Sequence, residues 1–136
     1  MDSIEFPKDY IQLVASTADI CMRPWKHSVI HLNGNVDKDI NLDEPIELVL
    51  RIECRNAEGE RCPENDLELE IFQSGMDLNL VIGWGNQLDR PILWHGQHSV
   101  WMDANTGSRC QAPEDFIYLE VMARRLRALF CISNEK

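Results

Sequence analysis

Three stretches of the chain alternate apolar and polar residues with a period of two: IELVLRIEC (Ile46 to Cys54), DLELEIF (Asp66 to Phe72) and LNLVIGW (Leu78 to Trp84). In the first, Ile46, Leu48, Leu50, Ile52 and Cys54 fall on one side and Glu47, Arg51 and Glu53 on the other. Leu67, Leu69 and Ile71 oppose Asp66, Glu68 and Glu70 in the second, and the third aligns Leu78, Leu80, Ile82 and Trp84. Successive side chains of a strand point to opposite faces, whereas a helix repeats every 3.6 residues, so these segments are strands. Parallel strands are covered on both faces and read as continuous apolar runs. Clean alternation instead predicts antiparallel pairing with one wet face. A shorter strand is expected from Ser28 to Leu32.

Helical spacing brackets this region. From Pro7 to Met22, the residues Tyr10, Ile11, Val14, Ala18 and Cys21 recur at intervals of three and four. Arg23-Pro24 closes that segment, because the residue before a proline avoids helical angles. A second helix is expected from Pro113 to about Cys131, with Glu114 and Asp115 suited to its N-terminal dipole. Phe116, Leu119, Met122, Ala123, Leu126, Leu129 and Phe130 form one broad apolar arc on it. The order is helix, antiparallel meander of five to six strands, helix: an α+β chain of 136 residues expected to form one domain. At this length a core forms without metal or disulfide. Five cysteines with no CxxC pair fit reduced thiols in the cytoplasm better than a disulfide framework. No apolar run approaches the ~18 residues that span a bilayer, and MDSIEFPKDY has no apolar signal core.

The densest cluster of chemically versatile residues is LWHGQHSVWMDANTGSRC, Leu93 to Cys110. Gly96-Gln97 fits a two-residue hairpin loop with glycine first, as a type II′ turn requires. His95 would then face His98, Trp94 would face Ser99, and Ile92 would face Trp101. Ile92, Trp94 and Trp101 would share one side, and Leu93, His95, His98, Val100 and Met102 the other. Apolar residues on both sides imply cover on both sides: one helix on each face, or one face against another chain. Paired imidazoles invite a metal, but zinc takes three or four protein ligands. The remaining ligands would have to be Cys54, Cys62 or Cys110, which lack the spacing. No metal and no cofactor are expected at the tip, and the tryptophan pair reads first as packing.

Other chemistry is thinly represented. Gly83-x-Gly85 lacks the third glycine and the helix that a dinucleotide site needs. Asn33, Asn35, Asp37, Asp39, Asn41 and Asp43 offer alternate oxygens, yet no register supplies both the glycine and the glutamate of a calcium loop. No nucleophile elbow, phosphate loop or HExxH is present. Cys110 follows Arg109, a weak hint of activation against the commoner fate of a buried thiol. The net charge of −10 makes nucleic acid and anionic membranes poor partners. Asp37 to Glu70 holds twelve acids and four bases, whereas Arg124, Arg125 and Arg127 cluster near the C-terminus.

The block from LVIGWG (Leu80 to Gly85) to RRLRALF (Arg124 to Phe130) resembles small conserved cytosolic proteins of unknown function of cyanobacterial type. The resemblance covers roughly the last third of the chain and carries no functional motif, so it implies no activity. The small acidic α+β outline is also similar in class to type III secretion chaperones, although no helix separates the middle strands as that family's pattern requires.

Two functions are compatible with these features. One is a non-catalytic protein–protein interaction module, an adaptor or assembly chaperone, with a homodimer or a foreign protein as partner. Ile117, Val121 and Ala128 lie opposite the apolar arc of the second helix, flanked by Arg124 and Arg125, and form the expected partner surface. The other is a small-ligand binder or enzyme using the Trp94/Trp101 face with the His95/His98 tip.

Overall fold

The computed structural model describes residues 7–32, 46–75, 77–114 and 117–130. The elements are α1 (Tyr10–Cys21), β1 (Lys26–His31), β2 (Glu47–Arg55), β3 (Leu67–Ser74), β4 (Asp77–Trp84), β5 (Ile92–His95), β6 (Ser99–Met102), β7 (Arg109–Cys110) and α2 (Tyr118–Phe130). Among the described residues the strands form one seven-stranded antiparallel sheet in chain order, β1 to β7. This is the expected α+β meander between two helices, with seven strands in place of five to six. The additional strand, β7, has two residues, too few for a period to register.

Strand register stacks the apolar positions into rows. Leu50 pairs with Leu69, Leu69 with Ile82, Ile82 with Leu93, Leu93 with Trp101, and Trp101 with Cys110. A second row runs Leu48, Ile71, Leu80, His95, and a third runs Val29, Ile52, Leu67, Trp84. Tyr10, Val14 and Ala18 of α1 and Leu119, Met122, Ala123, Leu126 and Phe130 of α2 join these rows in one buried cluster. Both helices therefore lie on the same face of the sheet. The reason is electrostatic as well as hydrophobic. The other face of β2 and β3 carries Glu47, Arg51, Glu53, Glu68 and Glu70, and a helix laid there would bury charge. Each aliphatic residue buried on the helix side contributes about 1.5–3 kcal/mol.

The helices are shorter than their sequence signals suggest. Residues 111–113 are not helical, and α2 begins at Tyr118. The chain must first cross from β7 at the sheet's edge onto the helix side. Leu129, counted in the apolar arc, is 40% exposed, and Phe116 lies outside the described residues. Polar contacts set the helix positions. The Arg127 Nε donates to the Leu78 carbonyl at 3.0 Å, and the Trp101 indole N–H donates to Glu120. On α1, Asp19 meets the His27 ring at 3.0 Å and the Tyr10 hydroxyl bonds His31.

Candidate functional site

The β5–β6 hairpin pairs differently from its expected register. His95 opposes Ser99, Trp94 opposes Val100, Leu93 opposes Trp101 and Ile92 opposes Met102. The loop is Gly96-Gln97-His98, three residues long. That one-residue slip turns β6 over relative to β5. Trp94 and Trp101 consequently lie on opposite faces. Trp101 is buried in the core, where its N–H reaches Glu120. Burying that indole opposite Leu93 outweighs any preference of the two-residue turn. Gly96 does not have a positive φ; among the described residues only Gly59, Gly75 and Gly107 do. Its role is steric. A Cβ there would stand 2.7 Å from the Asn79 Oδ1 and 2.8 Å from the Trp94 Cη2, because the Trp94 ring lies against the glycine.

The two histidines are likewise separated. His98 is exposed in the loop. His95 is buried on the helix side, and its Nδ1 has no hydrogen-bond partner among the described residues. Burial, followed by the nearby Arg127 and Arg124 guanidiniums, holds its pKa below the ordinary imidazole value, against a smaller pull from Glu120. A neutral imidazole therefore packs against α2, and the hairpin tip gathers no paired site. Cys110 packs half-buried against the core cluster.

All five residues of the expected helix surface are exposed: Ile117, Val121, Arg124, Arg125 and Ala128. Arg124 acts on His95 on one flank of α2, and Arg125 acts on Cys21 of α1 on the other. The acidic loop Asn33 to Asp43 lies outside the described residues.

The sheet face away from the helices has two unlike halves. Toward β1–β3 it is charged. The Arg51 Nη2 sits 3.3 Å from the Gly85 carbonyl and 3.8 Å from the Glu68 carboxylate. Toward β4–β6 it is apolar, with Val81, Ile92, Trp94, Val100 and Met102 all half-buried. One row crosses the boundary: Val49, Glu70, Val81, Trp94, Val100. Glu70 stands in it between two valines and forms no ion pair among the described residues. A groove of about 210 Å³ runs over this boundary, floored by Val49, Glu70, Val81, Gly83 and Ile92 and walled by Gln87, Leu88 and Arg90. Leu88 is 77% exposed, and Arg90 stacks 4.5 Å above the Trp84 ring centroid. Sequence reasoning passed over this groove. Its one signal was valine at two positions of the wet register, Val49 and Val81. A second cleft, between the end of α1 and β1–β2, left no signal at all.

Fold and surface together define an open-faced α+β protein, a seven-stranded antiparallel meander with both helices on one side and an apolar–acidic groove on the other. The chain belongs to the family described as Domain of unknown function (DUF8659), whose model matches residues 11–129. The match takes in nearly all of α1 through α2, well beyond the C-terminal block that carried the sequence resemblance. No curated protein and no solved structure matches the chain.

Proposed function

We propose that this protein is a non-catalytic interaction module, adaptor-like or chaperone-like, that holds a segment of another protein against its open sheet face. The observation that carries this reading is the Glu70 carboxylate, without an ion pair among the described residues, set in an apolar row between Val49 and Val81. Such a groove is complementary to a segment that alternates apolar and basic side chains. The apolar residues would cover Val81, Ile92 and Leu88, and a lysine or arginine would meet Glu70. A foreign basic partner fits better than a second copy, because each copy carries −10 and repels its like. The exposed stripe of Ile117, Val121 and Ala128 offers a second contact surface on the opposite side. The cytoplasm is the proposed location, in keeping with five cysteines and with the cyanobacterial resemblance of residues 80–130. No helix among the described residues is long and apolar enough to cross a membrane.

Zero-length carbodiimide coupling tests the reading. Proteins captured from the native host's extract should become joined through their lysines to Glu70 or Glu68. Glu70→Lys and Leu88→Asp, both at surface positions, should lose those partners while keeping the wild-type circular dichroism spectrum. Retention of the same partners by both variants would exclude this face as the binding surface.

A further inference from the structure

A cleft of about 280 Å³ opens on the helix side of the sheet, at the end of the layered core. Its floor continues the core rows by one step, where His27 pairs with Cys54 across β1 and β2. Met22, Trp25 and Tyr118 form apolar and aromatic walls, and the polar Asn65 and the cationic Arg23 also line the cleft. This volume is at the small end of ligand-binding pockets. It suits a one- or two-ring molecule.

The polar chemistry is narrow. The His27 side chain is 2% exposed, and its Nδ1 lies 3.0 Å from the Asp19 Oδ1. A carboxylate only accepts, so Nδ1 carries the proton and donates it to Asp19. Nε2 keeps its lone pair as an acceptor. Among the described residues no donor meets Nε2. Burial holds the ring's pKa below the ordinary imidazole value despite Asp19, so it stays neutral near pH 7. The thiols lining the cleft are also neutral. Cys54 is pushed up to about 12, by burial first and then by Cys62 and Asp66, and burial raises Cys21 as well. Among the described residues no group of three or more His, Cys, Asp or Glu converges to hold a metal ion. What remains is one acceptor oriented by Asp19, the polar Asn65 and aromatic walls, with Arg23 the one charged residue among those lining the cleft.

We propose that this cleft binds a small planar heteroaromatic molecule whose ring N–H donates to the His27 Nε2 while Trp25, Tyr118 and Met22 enclose its faces. The proposal stands apart from the open sheet face, since no residue is shared with the groove over Glu70. A hydrocarbon ring would leave the His27 acceptor unpaired, a cation would find no carboxylate in the lining, and an anion, although Arg23 is present, would face the Nε2 lone pair.

Indole and 1-methylindole serve as probes, because they differ at the ring N–H alone. In NMR titrations of the full chain, indole should saturably shift the Trp25 and His27 ring signals. 1-Methylindole should bind about tenfold more weakly. His27→Phe keeps a ring of similar size and removes the acceptor, so the two probes should bind it equally. Asp19→Ala, at a half-exposed position, frees the imidazole to move its proton to Nε2 and should narrow the indole preference in a folded chain. The proposal is overturned if Trp25 shows no saturable shift at millimolar indole. It is overturned equally if the wild type does not distinguish the probes, or if Asp19→Ala and His27→Phe leave the preference unchanged.

Discussion

Asp66 is 1% exposed and ionised, and three donors hold it so. The Cys54 amide N–H donates to its Oδ1 at 2.8 Å, and the Arg61 guanidinium reaches both oxygens at 3.0 and 2.9 Å. Arg61 also caps the Cys54 carbonyl at 2.7 Å, which ties the end of β2 to the turn before β3. Burial raises the carboxyl pKa, but the Arg61 and Cys54 hydrogen bonds outweigh it, and the net value is lowered. Asp66→Ala should destabilise by about 2–3 kcal/mol, below the full cost for a buried pair because Arg61 keeps solvent contact. The pH dependence has two parts. A lowered carboxylate contributes stability that is present above its unfolded pKa near 4 and lost as pH falls through the folded value. His27 and His95 are lowered too, so their neutral forms favour the fold above about pH 6.5, and stability declines as pH drops below it. Urea midpoints measured from pH 8 to pH 3 should show both declines. Asp66→Ala should remove the lower one and His95→Phe should soften the upper.

At the scale of elements, the β5–β6 hairpin shows how local and distant preferences compete. A two-residue turn was the stronger local signal. The three-residue loop won because it sets Trp101 beside Leu93 in the core and brings Glu120 within reach of the indole N–H. Gly96 remains necessary, since its missing Cβ is the space between Trp94 and Asn79. Gly96→Val should therefore cost about 1–3 kcal/mol by overpacking rather than by backbone strain. Gly96→Ala should share most of that cost, because the clash is with the Cβ itself; thermal melts of the two variants separate the causes. On α2 the inner stripe was legible from spacing, because a helix buried on one side must repeat its apolar residues every three or four. Val121 is 39% exposed on the outer stripe. Val121→Asp should leave the melting temperature unchanged and, if α2 is a contact surface, reduce partner capture.

Across the whole molecule, helices on one face and a net charge of −10 make association a matter of matching both apolar area and positive charge. Binding of a basic partner should weaken as salt rises from low to physiological ionic strength, while the folding midpoint moves little, because surface charge is screened and buried area is not. Affinity and thermal melts over the same salt series check this. The sequence by itself determined the class: period two set the strands, period 3.6 the helices, and neither depends on a distant neighbour. It also determined the core side of β2, β3 and β4, because only one of their faces could leave water. Tertiary structure decided the rest. Which face both helices share, how β6 registers on β5, and that Glu70 stands between Val49 and Val81 all depend on pairings between strands. So does the meeting of His27 and Cys54 at the floor of the second cleft. A strand's own period says which side chains share a face, but only the pairing of strands says which neighbours they meet there.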